Sequence, residues 1–442
     1  MNRGFAVFII LALISVILSY VIPDNSKRGF TSALTSYMIA DEENKLNYDD
    51  TREHLRMPSE LPFEYSFDDK EFNNGFEYEL NPNIHSGYYH KPQTLKFDSS
   101  DTIWYTTDGT LPEKNKTAYL YDNEKGIRLD TGVTNICVRA EKDGKMSRVY
   151  VGSYVILGST EDAFYGSGVK PGYIRYKNLN NDDKIDKYDR YIYRSLYKAM
   201  SNYETKFDVP FTNVSYQRLY RIFMCVNYDN PLLIQAPLSF VSWSGNKKDV
   251  RSIKLIYDFS KEASEYHVEK TKKRAEEILN TADGSESLFD YLLTIHDEIL
   301  KNAEYDYTLE SDGAYEAFGV LTAGSGVCES YSRAYQYLCQ CIGVDNLLVV
   351  GTSNDEPHMW NMVMLGGEWY HADFTWDDGD GNEIGYYYFA FNDKNLKDYG
   401  ERTISPEFNE NRPILDMYND SNYYPIPAAR GTEYSVSNML LY

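Results

Sequence analysis

Gly324-Ser325-Gly326-Val327-Cys328 leads into a run in which Tyr331, Ala334, Tyr335, Leu338 and Ile342 recur at three- and four-residue intervals, with Gly343 next. That spacing describes one face of a helix, and the glycine stops it. Gly324 and Gly326 let the chain turn sharply just ahead, so Cys328 is expected in the first helical turn. A sulfur there lies beside unpaired backbone N–H groups and the positive end of the helix dipole. Both stabilise a sulfur anion, and the same N–H groups suit an oxyanion.

Downstream, Leu347 to Gly351 reads as a strand, and His358 to Leu365 and Glu368 to Trp376 read as two more joined by Gly366-Gly367. A two-residue Gly-Gly link predicts a hairpin with Leu365 opposite Glu368. Counting back places Trp360 opposite Asp373 and His358 opposite Thr375. His358 and Asp373 then project from one face as diagonal neighbours, about 7–8 Å apart at the backbone. In such a pair the carboxylate fixes the imidazole tautomer and the imidazole draws the proton from the Cys328 sulfur. His371 competes for the role of base, but the same count sets it opposite Met362, nearer the turn and on the strand of its would-be acid. A blander alternative makes Cys328 a helix cap, the histidines surface strand residues and Asp373 a turn residue. Trp360 and Trp376 are candidates to wall a substrate tunnel, although strand aromatics more often fill a core. Glu329 is expected to point away from the site into solvent.

Composition narrows the classes. At 442 residues the chain exceeds what one core usually organises. Its net charge of -23 argues against a nucleic-acid partner, which needs clustered Lys and Arg. The 5 cysteines are an odd number, and their placement does not suggest a disulfide framework. Cys137 and Cys225 sit singly in apolar runs, and Cys339 and Cys341 are two apart on a helix and face different ways. Two acidic clusters, Asn178 to Asp189 and Asp377 to Glu383, lack the sixth-position glycine and twelfth-position glutamate of a calcium loop. Neither a metal nor a cofactor is expected.

Phe5 to Ile22 is almost continuously apolar, at the lower edge of bilayer-spanning length. Residues 1–28 are expected to be a hydrophobic helix that serves as a cleaved signal or an uncleaved anchor. Export is therefore expected, as is membrane attachment if the segment stays. Residues 29–74 are polar and aperiodic, as a linker is. Over 75–158, Gln93 to Phe97, Thr102 to Thr107, Asn135 to Glu141 and Arg148 to Ile156 read as strands, with turns at Asp108-Gly109 and Asp143-Gly144. An all-β sandwich is expected there. Helical periodicity returns over 170–285, in Lys187 to Met200 and Glu269 to Leu279, and continues in Leu288 to Asn302. Residues 286–400 hold the candidate catalytic core, and 401–442 are a C-terminal extension.

The stretch Trp104-Tyr105-Thr106-Thr107-Asp108-Gly109-Thr110-Leu111-Pro112, flanked by Ser86-Gly87-Tyr88-Tyr89 and Ile136-Cys137-Val138-Arg139-Ala140, resembles the fibronectin-III-like module at the C-terminus of chitobiases and hexosaminidases. The resemblance implies a spacer or weak surface-binding unit without catalytic residues. Over roughly residues 170 to 400 the chain resembles the transglutaminase-like superfamily, especially bacterial secreted members. The matching segments are Gly326-Val327-Cys328-Glu329-Ser330-Tyr331-Ser332-Arg333-Ala334, Pro357-His358-Met359-Trp360-Asn361 and Trp369-Tyr370-His371-Ala372-Asp373-Phe374-Thr375-Trp376-Asp377-Asp378. Ile295-His296-Asp297 and Tyr305-Asp306 look like the family's approach to the site. By motif position the resemblance implies Cys328 as nucleophile, His358 as base and Asp373 as orienting acid, in a papain-like α+β domain. Ser330 and Met359 depart from the pattern, which more often has a glycine and a small residue there, and are expected to narrow access.

Together these readings point to an extracytoplasmic cysteine acyl-transfer enzyme. It would act on a protein or peptide substrate, cell-wall associated or not, through a thioester at a glutamine carboxamide or a peptide bond. Cross-linking, deamidation and proteolysis stay open. So do a catalytically silent surface scaffold and, more remotely, a carbohydrate-active enzyme, for which a carboxylate pair is lacking. Oligomeric state is not legible.

Overall fold

The computed structural model describes residues 61, 66–113, 118–158, 186–233, 242–379, 383–398, 400–404 and 426–435. The apolar run 5–22 and most of the 29–74 linker lie outside the described residues, as does most of the Asn178 to Asp189 cluster. Among the described residues no helix is long and apolar enough to cross a membrane.

The first unit is built from strands: β1 (Gly87–Tyr89), β2 (Gln93–Leu95), β3 (Thr102–Thr106), β4 (Tyr119–Leu120), β5 (Ile127–Leu129), β6 (Gly132–Lys142), β7 (Lys145–Met146) and β8 (Tyr150–Ile156). One sheet runs β1-β8-β6-β3-β4, with β7 on β6, and β2 pairs with β5 in a second. Asp143 and Gly144 both take positive φ in the two-residue link between β6 and β7, as that tight hairpin requires. Leu95, Ile127 and Leu129 from the small sheet meet Ile103, Ile136, Val138, Tyr154 and Ile156 from the large one.

Backbone and side chains bind this unit to the helices downstream. Tyr88 donates its N–H to the Ser285 carbonyl at 2.9 Å and accepts from Gly284 N–H at 2.8 Å. Its ring enters the downstream core beside Ala275, Ile278, Leu279 and Ala282. His90 sets Nδ1 against Asp283 Oδ1 at 2.9 Å and Nε2 against Glu276 Oε2 at 3.3 Å.

The middle unit comprises α1 (Asp186–Ser201), β9 (Lys206–Asp208), α2 (Tyr216–Asp229), β10 (Ser242–Asn246) and β11 (Asp249–Lys254) around its own core of Ile192, Leu196, Leu219, Phe223, Val226 and Ile253. Then come α3 (Lys261–Ala282), α4 (Leu288–Leu300), β12 (Glu304–Tyr305), a π-helical turn at Gly319–Ala323, β13 (Ser325–Gly326), α5 (Cys328–Cys341), β14 (Asn346–Ser353), β15 (Glu356–Leu365), β16 (Glu368–Ala372), α6 (Phe374–Asp377) and β17 (Thr403–Ile404). The antiparallel sheet β16-β15-β14-β17 carries α5 on its face, over β14 and β15.

The face of α5 turned to the middle unit is polar yet buried. Arg333, Gln336 and Gln340 stand near one another along it and donate to the Asn227, Tyr228 and Asp229 carbonyls at 3.2, 2.8 and 2.8 Å. These are the carbonyls that the end of α2 leaves without an intrahelical donor, so each helix satisfies the other.

Candidate active site

Gly324 closes the π-helical turn in the left-handed region at φ 79, and Val327 occupies the N-cap of α5 in extended backbone. Cys328 is therefore the first residue of the helix, partly exposed and unbridged. The N–H groups of Ser330 and Tyr331 reach the Val327 carbonyl, which leaves those of Cys328 and Glu329 with no acceptor inside the helix. A Cβ on Gly326 would lie 2.5 Å from Ser330 Cβ, so the approach needs glycine at this point.

The hairpin registers as its turn demands. Leu365 pairs with Glu368 and Met362 with His371, and Gly366 and Gly367 both have positive φ. The strand expectation overruns at the far end. The ladder stops at Asn361 and Ala372, and Phe374–Asp377 turns into helix instead of reaching Trp376, so Trp360 does not pair with Asp373 nor His358 with Thr375. The chain leaves β15 because the Asp373 N–H is drawn to the Tyr388 carbonyl at 2.8 Å. Asp373 now stands at the N-cap of α6, where an aspartate would ordinarily accept a backbone N–H, yet its side chain makes no cap bond. The carboxylate is committed elsewhere.

It is committed to His358. His358 Nε2 donates to Asp373 Oδ2 at 2.7 Å, and both side chains are buried. With Nε2 so engaged, the imidazole also lies within reach of the Cys328 side chain, which adds to the influences that raise it. Burial alone would lower the imidazole. The Asp373 charge and hydrogen bond, joined by Cys328, outweigh it and raise His358 to about 9. Cysteine, histidine and aspartate thus form one continuous chain of contacts.

Arg402 carries no signal in the sequence and falls in the expected extension. It comes in from the segment before β17, whose strand pairs with β14. Its guanidinium donates Nη2 and Nε to Asp373 Oδ2 at 2.6 and 3.1 Å, the oxygen that His358 also uses. The rings of Tyr388, Trp376 and Phe391 surround it, with centroids at 4.8, 5.0 and 5.3 Å. Burial would raise the Asp373 carboxyl, but the charges of His358 and Arg402 prevail and lower it.

Other residues find plain roles. His371 is not brought to Cys328: Nδ1 accepts Trp360 Nε1–H at 3.1 Å, Nε2 lies 3.0 Å from Asp393 Oδ1, and burial lowers the imidazole. Trp360 is wholly buried and packs behind the His358 ring with centroids 5.9 Å apart, so it supports that ring and has no open face for substrate. Trp376 is partly exposed and lies against Arg402 and Tyr388. Glu329 does not point into solvent; it pairs with the buried Arg333 at 2.7 Å. Ser330 and Met359, expected to narrow access, are both buried. Ser330 Oγ donates to the Glu316 carbonyl at 2.6 Å and accepts Val320 N–H at 3.1 Å, tying the π-helical turn to α5.

Two tyrosines complete the surroundings. The β12–β13 pairing sets Tyr305 beside Gly326. Burial, then the charge of Cys328, pushes the Tyr305 phenol up, and burial, Glu329 and Cys328 do the same for Tyr315. Behind α6, the buried His296 bridges Asp297 at 3.1 Å and Asp377 at 3.3 Å, anchoring the turn that begins at Asp373.

Residues 272–374 match the family model of the transglutaminase-like superfamily. The chain carries a transglutaminase-like domain. Residues 93–154 match the Fn3-associated model, which places a second known domain on the first unit. No curated protein matches the chain. Among solved structures, it is similar to a chain from Cytophaga hutchinsonii provisionally assigned as a cysteine protease, with 22% identity over 25% of this chain and 37% of that one and a TM-score of 0.21. A second is a transglutaminase, with 15% identity, 36% and 47% covered and a TM-score of 0.23. A third is the red sea bream transglutaminase, with 9% identity, 68% and 51% covered and a TM-score of 0.24. The chain therefore spans between 37% and 51% of the lengths of these three. The transglutaminase-like match contains Cys328, His358 and Asp373 and ends one residue after the last of them, short of Arg402.

Proposed function

We propose that this protein is an extracytoplasmic cysteine acyl-transfer enzyme acting on the glutamine carboxamides or peptide bonds of protein substrates. The observation that carries the reading is the contact chain from Cys328 through His358 to Asp373. In the reactive pair the imidazolium of His358 stands opposite the deprotonated Cys328 sulfur, which attacks the carbonyl carbon. The oxyanion lies at the N-terminus of α5, before the free N–H groups of Cys328 and Glu329. The His358 imidazolium then gives its proton to the departing nitrogen as the C–N bond breaks, leaving a thioester. In the second half His358 deprotonates an incoming amine or water, whose attack releases the sulfur. An amine acceptor gives a cross-link; water gives deamidation or cleavage. Support for the extracytoplasmic setting comes from the apolar run Phe5 to Ile22, and a retained segment would tether the enzyme to the membrane.

Iodoacetamide labelling followed by peptide mass spectrometry tests the site. Cys341 is partly exposed like Cys328, whereas Cys339 is buried and its thiol is pushed up by that burial. Cys328 should label faster than both, and His358→Ala should erase its lead over Cys341. Equal labelling of Cys328 and Cys341 in the native protein would favour a silent scaffold. Incubating candidate surface proteins with the enzyme and a tagged primary amine then separates amine incorporation, deamidation and cleavage.

A further inference from the structure

Asp373 presents an asymmetry that the Cys328–His358–Asp373 chain does not require. Three donors converge on Oδ2, two of them from Arg402, while Oδ1 has no hydrogen-bond partner among the described residues. A carboxylate held by one oxygen is free to swing unless something fixes the other donors. Arg402 supplies that fixation. Its side chain has no solvent exposure, it is enclosed by the Trp376, Tyr388 and Phe391 rings, and its backbone N–H is tied to the Leu396 carbonyl at 2.7 Å. The strand that follows it also aligns it with the base: Ile404 pairs with Gly351 on β14, and Gly351 pairs with His358 on β15.

We infer that Arg402 is a positioning residue of the Cys328 site, delivered by β17 from beyond the transglutaminase-like match, which keeps the Asp373 carboxylate charged and aimed at His358. The inference rests on the acyl-transfer reading above. Charge is needed because burial pushes the Asp373 carboxyl up and the His358 charge opposes this only with the help of Arg402, and a protonated Asp373 can no longer hold an imidazolium opposite the sulfur. Orientation is needed because His358 must present one nitrogen to Asp373 and the other to Cys328 at once. A lysine cannot reproduce the arrangement. It offers a point charge in place of a planar fork that stacks on rings and reaches one oxygen through two nitrogens.

The test is the pH dependence of Cys328 labelling in the full chain. The groups facing Asp373 are His358 and Arg402, with His371, Asp377 and Tyr305 also within reach of its charge. An adjacent arginine lowers a carboxyl by about 1–3 pH units, so Arg402→Gln should raise the acid limb of labelling by about one unit or more. Arg402→Lys keeps the buried pair charged and remains informative where the Gln variant does not fold. Its limb should rise by a smaller step, with a lower maximum rate. Thermal melts establish which variants are folded. A purely structural role would lower the melting temperature of both and leave the limb in place, and that result overturns the inference. Failure of the underlying reading looks different: wild-type Cys328 would then show no lead that His358→Ala removes.

Discussion

Replacing His358 by Asn should change how stability responds to pH, in a direction fixed by the site. In the folded protein His358 is raised from 6.5 to about 9, so the native state holds a proton that the unfolded chain releases earlier. A group raised in this way contributes its full stabilisation below the unfolded value and loses it as pH climbs through the folded one. At about 1.4 kcal/mol per unit, the rise corresponds to roughly 3 kcal/mol, present at about pH 6 and gone near pH 10. Asp373 is lowered and stays ionised throughout this window. His296, which is also raised, is common to both proteins and cancels in the difference. Urea unfolding of wild type and His358→Asn at several pH values measures the term as a widening gap towards acid. Because the Asp373 charge outranks Cys328 among the influences that raise the imidazole, Cys328→Ala should keep most of the effect and Asp373→Asn should lose most of it. Stability curves for wild type and His358→Asn that run parallel across the window would refute the account of a retained proton.

Two further outcomes test the supports of the site. Tyr88 links the Fn3-associated unit to the transglutaminase-like core by two backbone hydrogen bonds and a buried ring. Tyr88→Ala should cost about 3–5 kcal/mol, in line with aromatic-to-alanine changes in cores, and should split one calorimetric transition into two. A change below about 1 kcal/mol would mean that the units are coupled elsewhere. Ser330→Ala removes the bridge between Glu316 and Val320 and should cost about 1–3 kcal/mol in urea unfolding, since the buried Val320 N–H loses its acceptor. Slower labelling of Cys328 in the same variant would show that the π-helical turn positions the thiol.

Cys328 and His358 are legible as candidates in the sequence because local chemistry places them. A glycine pair sets the hairpin register, and glycines before an amphipathic run set a cysteine at a helix start. The overrun to Trp376 shows where such reasoning weakens. Phe374, Thr375 and Trp376 have strand-like side chains, yet a long-range bond from Asp373 N–H to the Tyr388 carbonyl diverts the chain. Arg402 is illegible for a related reason. The strand that follows it is two residues long, and the rings that enclose it come from positions 376, 388 and 391, so no periodicity announces it. Ser330 and Glu329 depart from expectation because helix phase tells which side a residue faces but not whether protein or water lies there.

The matched stretch holds Cys328, His358 and Asp373, but much of what aims them lies outside it. Arg333, Gln336 and Gln340 bury a polar face of α5 only because α2 ends against them. Asp373 is charged and aimed with the help of β17. Each support is a buried polar group whose partner is remote in sequence, and removing such a partner costs more than the bond contributes, because the remaining group keeps its desolvation penalty. The geometry at Cys328 is therefore not a modular property of residues 272–374. It depends on the middle unit and the C-terminal strand packing at the same time, which couples the competence of the site to the folding of segments that take no part in the chemistry.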